Sequence, residues 1–214
     1  MHKLKRPQSP SCLSRYQHGR DNWSLVTPED KEKIWQQLHA MQGNLCAYCE
    51  SSLLTQSGQR DAHIEHFQQK GKDPKATFEW SNLFGSCNRK ISCGRHKDTR
   101  PAYDPALPIK MDEEDPDHFF LFVSDGTIAI NAELSEPEKE RAQGTLVIFN
   151  LDAKHGALRQ MRKNAVQGYL QTAEELAEMA AVFDEEEWLP FFMAEIEAIK
   201  GLPFETAIRH TLMP

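Results

Sequence analysis

No stretch of the 214 residues approaches the run of about 20 apolar residues that a helix needs to cross a bilayer. Met1 to Arg20 carries basic residues but no apolar core behind them, as a secretory signal would have. These absences predict a cytoplasmic protein that binds no membrane. Cysteine is sparse and odd in number, at five, and without a secretion signal this argues against a disulfide framework. Metal ligation or plain burial is the expected use. Internal repeats and low-complexity tracts are missing as well. What remains, 39% hydrophobic and 27% charged residues, is the composition of an ordinary globular chain, long enough for one well-buried domain or two small ones.

The formal net charge of −7 argues against a nucleic-acid partner only until it is divided along the chain. Residues 1–111 hold 17 Lys and Arg against 11 Asp and Glu, a balance of +6, whereas residues 112–214 hold 8 against 21, a balance of −13. The first half is suited to phosphate and the second is not.

Residues 2–23 are polar, basic and aperiodic, and are expected to form an arm that orders on a partner. Thr27 before Pro28 reads as a helix N-cap. Ile34, Trp35, Leu38 and Met41 then share a face up to Gly43, so residues 1–43 form an arm and a helix for docking. From 44 to 100 the chain is rich in Cys, His and Gly with little amphipathic regularity, which suits a small module held by metal. Residues 101–118, with four prolines and an acidic cluster, read as a surface linker. In 119–214, FFLFV and TIAIN flank an Asp125–Gly126 turn, giving a hairpin. Helices are expected at Pro137–Phe149, Ala157–Phe183, Glu186–Lys200 and Phe204–Leu212. The fold class is α+β: a small module inside a mainly helical protein, with a β-hairpin after it.

Cys46 and Cys49 form a CxxC, and Cys87 and Cys93 a wider pair. Zinc takes four thiolate or imidazole ligands in a tetrahedron, and a short spacer presents two sulfurs from one turn. These four are the expected structural Zn²⁺ ligands, while Cys12 is read as a free thiol in the arm. Between the pairs lie HIEHF and WSNLFGSCN, followed by CGRHK.

That order resembles the HNH (ββα-metal) endonuclease family, most specifically over 46–97. The resemblance implies Glu65 as a metal-binding acid, His66 as general base, Asn82 as the middle Asn and His96 as the last ligand of a catalytic Mg²⁺ or Mn²⁺. The second cysteine pair is wider than in most zinc-bearing members, which makes Asn88 a competitor of His96. His96 is preferred because Lys97 follows it.

The chemistry stands without the family. A neutral imidazole within hydrogen-bond reach, with a pKa near the working pH, is suited to take a proton from water, and a hard cation held by an acidic oxygen and one imidazole nitrogen stabilises charge on phosphate. An amide exchanges no proton near neutral pH, so Asn82 is expected to fix its loop and the His66 ring. His63, three residues before His66 on a strand, points to the opposite face and is given a structural or phosphate-contacting role. Phe67, Trp80 and Phe84 are expected core. Lys70, Lys72, Lys75, Arg89, Lys90, Arg95 and Lys97 are candidate phosphate contacts.

Over about residues 1–165 the chain also resembles the PtuB-like HNH nucleases of Septu-type and retron-linked antiphage systems. This implies nucleic acid as substrate, DNA favoured over RNA, and a PtuA-like ABC-type ATPase as partner. Two other readings compete: a zinc-stapled binding module without cleavage activity, and a helical adaptor with a vestigial nuclease.

Overall fold

In the computed structural model, which describes residues 1–213, Thr27 opens the first helix. Its Oγ1 accepts from the Asp30 amide at 3.2 Å, and Pro28 takes the first helical position. This helix, α1 (Pro28–Gln42), buries Ile34, Leu38 and Met41 and ends at Gly43. Trp35 lies at the stripe's edge, half-buried, with the Arg60 guanidinium 4.5 Å from its ring centroid.

Strands β1 (Ala62–His66) and β2 (Leu83–Cys87) pair antiparallel, with His63 opposite Ser86 and Glu65 opposite Phe84. A short helix, α2 (Cys93–Asp98), follows and gives the ββα order. Gln42 fastens α1 to the ribbon: its Nε2 donates to the Leu45 and Gly85 carbonyls at 2.6 and 2.9 Å, and its Oε1 accepts from the Gly85 amide at 2.9 Å. Glycine is needed at 85, because a Cβ there would lie 2.8 Å from Gln42 Nε2. Phe67, Trp80 and Phe84 are core, as their residue types suggest.

Two segments are bound more tightly than their composition suggests. The arm does not wait for a partner: Met1, Leu4, Cys12 and Leu13 are buried, and the Leu4 amide donates to the Met111 carbonyl at 2.8 Å. Arg6 donates to the Trp80 and Leu83 carbonyls and lies over the Trp80 and Phe84 rings. Cys12 forms no disulfide and is buried rather than displayed on an arm. The 101–118 segment stays largely on the surface but is pinned at its middle, where Ile109 and Met111 are fully buried and the Ile109 amide donates to Thr145 Oγ1 at 2.8 Å. Isolated apolar residues between prolines carry no periodicity, so their burial was not legible.

Helix α3 (Pro116–Phe119) leads into the expected hairpin, β3 (Phe120–Phe122) paired with β4 (Ile128–Ile130). Gly126 has φ +90°, and a Cβ there would overlap the Arg159 carbonyl, so its turn needs glycine twice over. Helix α4 (Glu136–Phe149) starts from a Ser135–Glu138 capping box. The single helix expected over Ala157–Phe183 is two, α5 (Ala157–Gln167) and α6 (Leu170–Val182). Gly168 stabilises a helix weakly, and the Tyr169 amide bonds one residue short, to the Val166 carbonyl at 2.9 Å, so the axis turns.

Helices α7 (Glu185–Ala198) and α8 (Glu205–Leu212) complete the chain. Helix α8 ties back to the cysteine turn, where Thr206 Oγ1 and amide donate to the buried Glu50 carboxylate at 2.5 and 3.2 Å. The described residues thus form a mixed α/β structure with eight helices and two two-stranded antiparallel sheets. Among them no helix is long and apolar enough to cross a membrane.

Candidate metal centre and nuclease site

The four cysteines meet where β2 ends, α2 begins and the 46–49 turn folds over both. Cys87 is the last residue of β2 and Cys93 the first of α2, where φ +57° turns its thiol inward. All four sulfurs lie within 4.8 Å of one another and all four residues are buried. The Cys49 and Cys87 sulfurs are 4.0 Å apart. A tetrahedral zinc with Zn–S bonds of about 2.3 Å spaces its sulfurs about 3.8 Å apart, so the cluster is positioned to bind a metal ion, consistent with structural zinc.

β1 divides the other candidates between its faces, because side chains alternate along a strand. His63 and Glu65 face α2, whereas His66 faces the loop that carries Thr77. Glu65 is almost fully buried: Lys97 Nζ is 2.6 Å from its Oε1, and His63 Nε2 is 3.0 Å from its Oε2. The Lys97 contact is an ion pair without hydrogen-bond alignment, which leaves Oε1 unbonded. Burial works to raise the Glu65 carboxyl, but the His63 hydrogen bond and the Lys97 ammonium outweigh it and hold it below its ordinary value. Gly94 lies directly beneath, and a Cβ on it would overlap Oε2. The Tyr48 and Tyr103 hydroxyls are buried without partners, and burial, then the Glu65 charge, pushes both phenols up.

His66 is buried with its Nε2 3.0 Å from the Thr77 carbonyl. A carbonyl only accepts, so Nε2 carries the hydrogen and Nδ1 the lone pair. Burial first, and then Lys70, push its pKa down to about 4, so the ring is neutral at pH 7. The Trp23 ring caps it edge-on at 4.5 Å between centroids. Asn82 pins the same loop: its Oδ1 accepts from the Gln68 amide at 2.7 Å, and its Nδ2 donates to the Ala76 and Gln68 carbonyls at 3.0 and 3.2 Å.

The last ligand is placed differently from the sequence reading. His96 turns away from Glu65, its Nδ1 3.0 Å from the Ile148 carbonyl of α4. On the short α2, residues 94 and 97 share the face toward Glu65 and residue 96 does not. Asn88 reaches the carboxylate only through His63, whose Nδ1 is 3.0 Å from Asn88 Oδ1. Lys97, counted among the phosphate contacts, is fully buried and donates to the His66 carbonyl at 2.6 Å. Lys70, Lys72, Lys75, Lys90 and Arg95 remain exposed.

Sequence spacing missed Lys97 as the partner of Glu65, Thr77 as the partner of His66, and Trp23 as its cover. Only the lysine had a signal, its position one turn after Cys93.

No family model matches the chain. Over 129 residues it is 30% identical to a Vibrio cholerae serotype O1 biovar El Tor protein named "Retron Vc95 putative HNH endonuclease", a match covering 58% of this chain and 60% of that protein. The identity supports an HNH endonuclease family, retron-associated. The chain therefore spans less than two thirds of that relative's length.

Proposed function

We propose that this chain, a relative of a retron-associated HNH protein, is a metal-dependent endonuclease that hydrolyses nucleic-acid phosphodiester bonds, DNA favoured. The observation that carries this reading is the orientation of His66. Its Nε2–H is committed to the Thr77 carbonyl, so Nδ1 is the proton acceptor, on the residue next to a buried carboxylate. The ring is neutral at working pH, the form that takes a proton from water, although burial holds its pKa at about 4, below the near-neutral value expected of a general base. Asn82 holds the Thr77 loop and thereby the ring.

The residues around Glu65 fit a hard divalent cation in part: Oε2 faces the half-buried His63 ring and two buried phenols nearby lack partners, while Oε1 is already engaged by Lys97. Bound there, Mg²⁺ or Mn²⁺ would stabilise charge on the phosphoryl oxygens and the leaving oxygen. Glu65 would hold it, while exposed Lys70, Lys72 and Lys75 steer the nucleic-acid backbone. The structural zinc keeps β2 and α2 in register beneath.

The wider proposal is an effector nuclease of antiphage defence, working with a PtuA-like ABC-type ATPase. A protein partner is supported by the acidic second half. From 164 to 199 the chain has nine Asp and Glu and no Lys or Arg, and Val182, Phe183, Phe191 and Met193 are exposed on α6–α7.

A second reading, a zinc-stapled binding module, is favoured by the Lys97–Glu65 pair and the Trp23 cover, which close both groups. Plasmid nicking in Mg²⁺ or Mn²⁺ separates the two. Nicking abolished by EDTA, with zinc retained, is expected of the nuclease; zinc-replete protein that binds DNA and never nicks, alone or with the ATPase, is the module.

A further inference from the structure

The two ring nitrogens of His63 have unlike partners, Asn88 Oδ1 at 3.0 Å from Nδ1 and Glu65 Oε2 at 3.0 Å from Nε2. The Asn88 amide cannot turn freely, because its Nδ2 donates to Asp61 Oδ1 at 2.9 Å and a carboxylate only accepts. The oxygen shown to His63 is therefore an acceptor, so Nδ1 carries the hydrogen. Nε2 faces Glu65 Oε2 at 3.0 Å, a hydrogen-bonded pair in which a metal cation can replace the shared proton.

We infer that His63 Nε2 and Glu65 Oε2 are the paired ligands of the divalent cation, with Asn88 and Asp61 orienting the ring and His96 taking no part. The inference rests on the nuclease reading for the nature of the ion. An octahedral cation with bonds of about 2.1 Å separates adjacent ligands by about 3.0 Å, the distance seen between these two atoms. A ligating histidine characteristically donates its other ring N–H to an oxygen held in turn by another group, as Asn88 and Asp61 do here. Lys97 engages Oε1, which leaves Oε2 as a single-oxygen ligand, and the α2 backbone packs on it so closely at Gly94 that only glycine fits there. The His63 side chain is 19% exposed against 2% for Glu65, so water and phosphate reach the pair from its side.

The test is pulsed EPR on full-length, zinc-replete protein titrated with Mn²⁺, for wild type, His63→Gln, His96→Gln and Asn88→Ala, with zinc content confirming the fold. Wild type and H96Q should show the coupling of one directly bound imidazole nitrogen. H63Q should lose it and bind Mn²⁺ at least tenfold more weakly, and N88A should keep it with weaker binding. Coupling that survives H63Q or disappears in H96Q overturns the assignment, as does wild type that binds no Mn²⁺ or shows no bound nitrogen. Failure of the parent reading looks different: intact coupling with no nicking refutes the nuclease and leaves the ligand pair standing.

Discussion

Lys97 Nζ lies 2.6 Å from Glu65 Oε1, an ion pair sealed between α2 and β1. Removing one partner of such a pair leaves an uncompensated buried charge. Lys97→Met should therefore cost about 3 kcal/mol or more in chemical denaturation, and Glu65→Gln/Lys97→Met clearly less than K97M alone. Mn²⁺ should raise the melting temperature of K97M more than that of wild type, because a cation then supplies the missing charge. Equal costs for the single and double variants would show that the pair contributes only packing.

Zinc removal should unfold the module rather than merely silence it. The cysteine cluster holds together the start of α2, the end of β2 and the 46–49 turn, and Glu50 beside it anchors α8. Purified wild type should contain about one zinc per chain by mass spectrometry. Cys46→Ser should lose it, with loss of the cooperative transition, since such sites contribute on the order of 10 kcal/mol to folding. Full stability of a zinc-free C46S protein would contradict this.

Acid should weaken the fold partly through His66. Its folded pKa of about 4 lies below the ordinary value of 6.5, so between those values the unfolded chain binds a proton that the folded chain does not. Stability from this group is complete above pH 6.5, falls as pH drops through the window, and falls no further below about 4. Denaturation at pH 7.5 and 5 should show a loss of about 2 kcal/mol in wild type that His66→Gln lacks. Equal losses in both would place the acid sensitivity elsewhere.

Local signals were legible where chemistry acts over a few residues. Thr27–Pro28 fixed the start of α1, Asp125–Gly126 set the hairpin turn, and the cysteine spacing brought four sulfurs together. Strand alternation also set His63 and His66 on opposite faces. What was not legible depends on distant partners. The phase of α2 decides that Lys97, not His96, faces Glu65, and that phase is set by Cys93 at positive φ and by packing on α4. Trp23 meets His66, and Leu4 meets Met111, across separations that no periodicity encodes. Gly168 is a weak break in an otherwise helical pattern, and only the turn between α5 and α6 gives it meaning.

The central claim is that His66 takes a proton in phosphodiester hydrolysis, and plasmid nicking by His66→Ala protein with its zinc retained tests it most directly. The account predicts metal-dependent nicking by wild type and at least a hundredfold loss in the variant, the range expected when a general base is removed. Undiminished nicking by a zinc-replete H66A protein would contradict it.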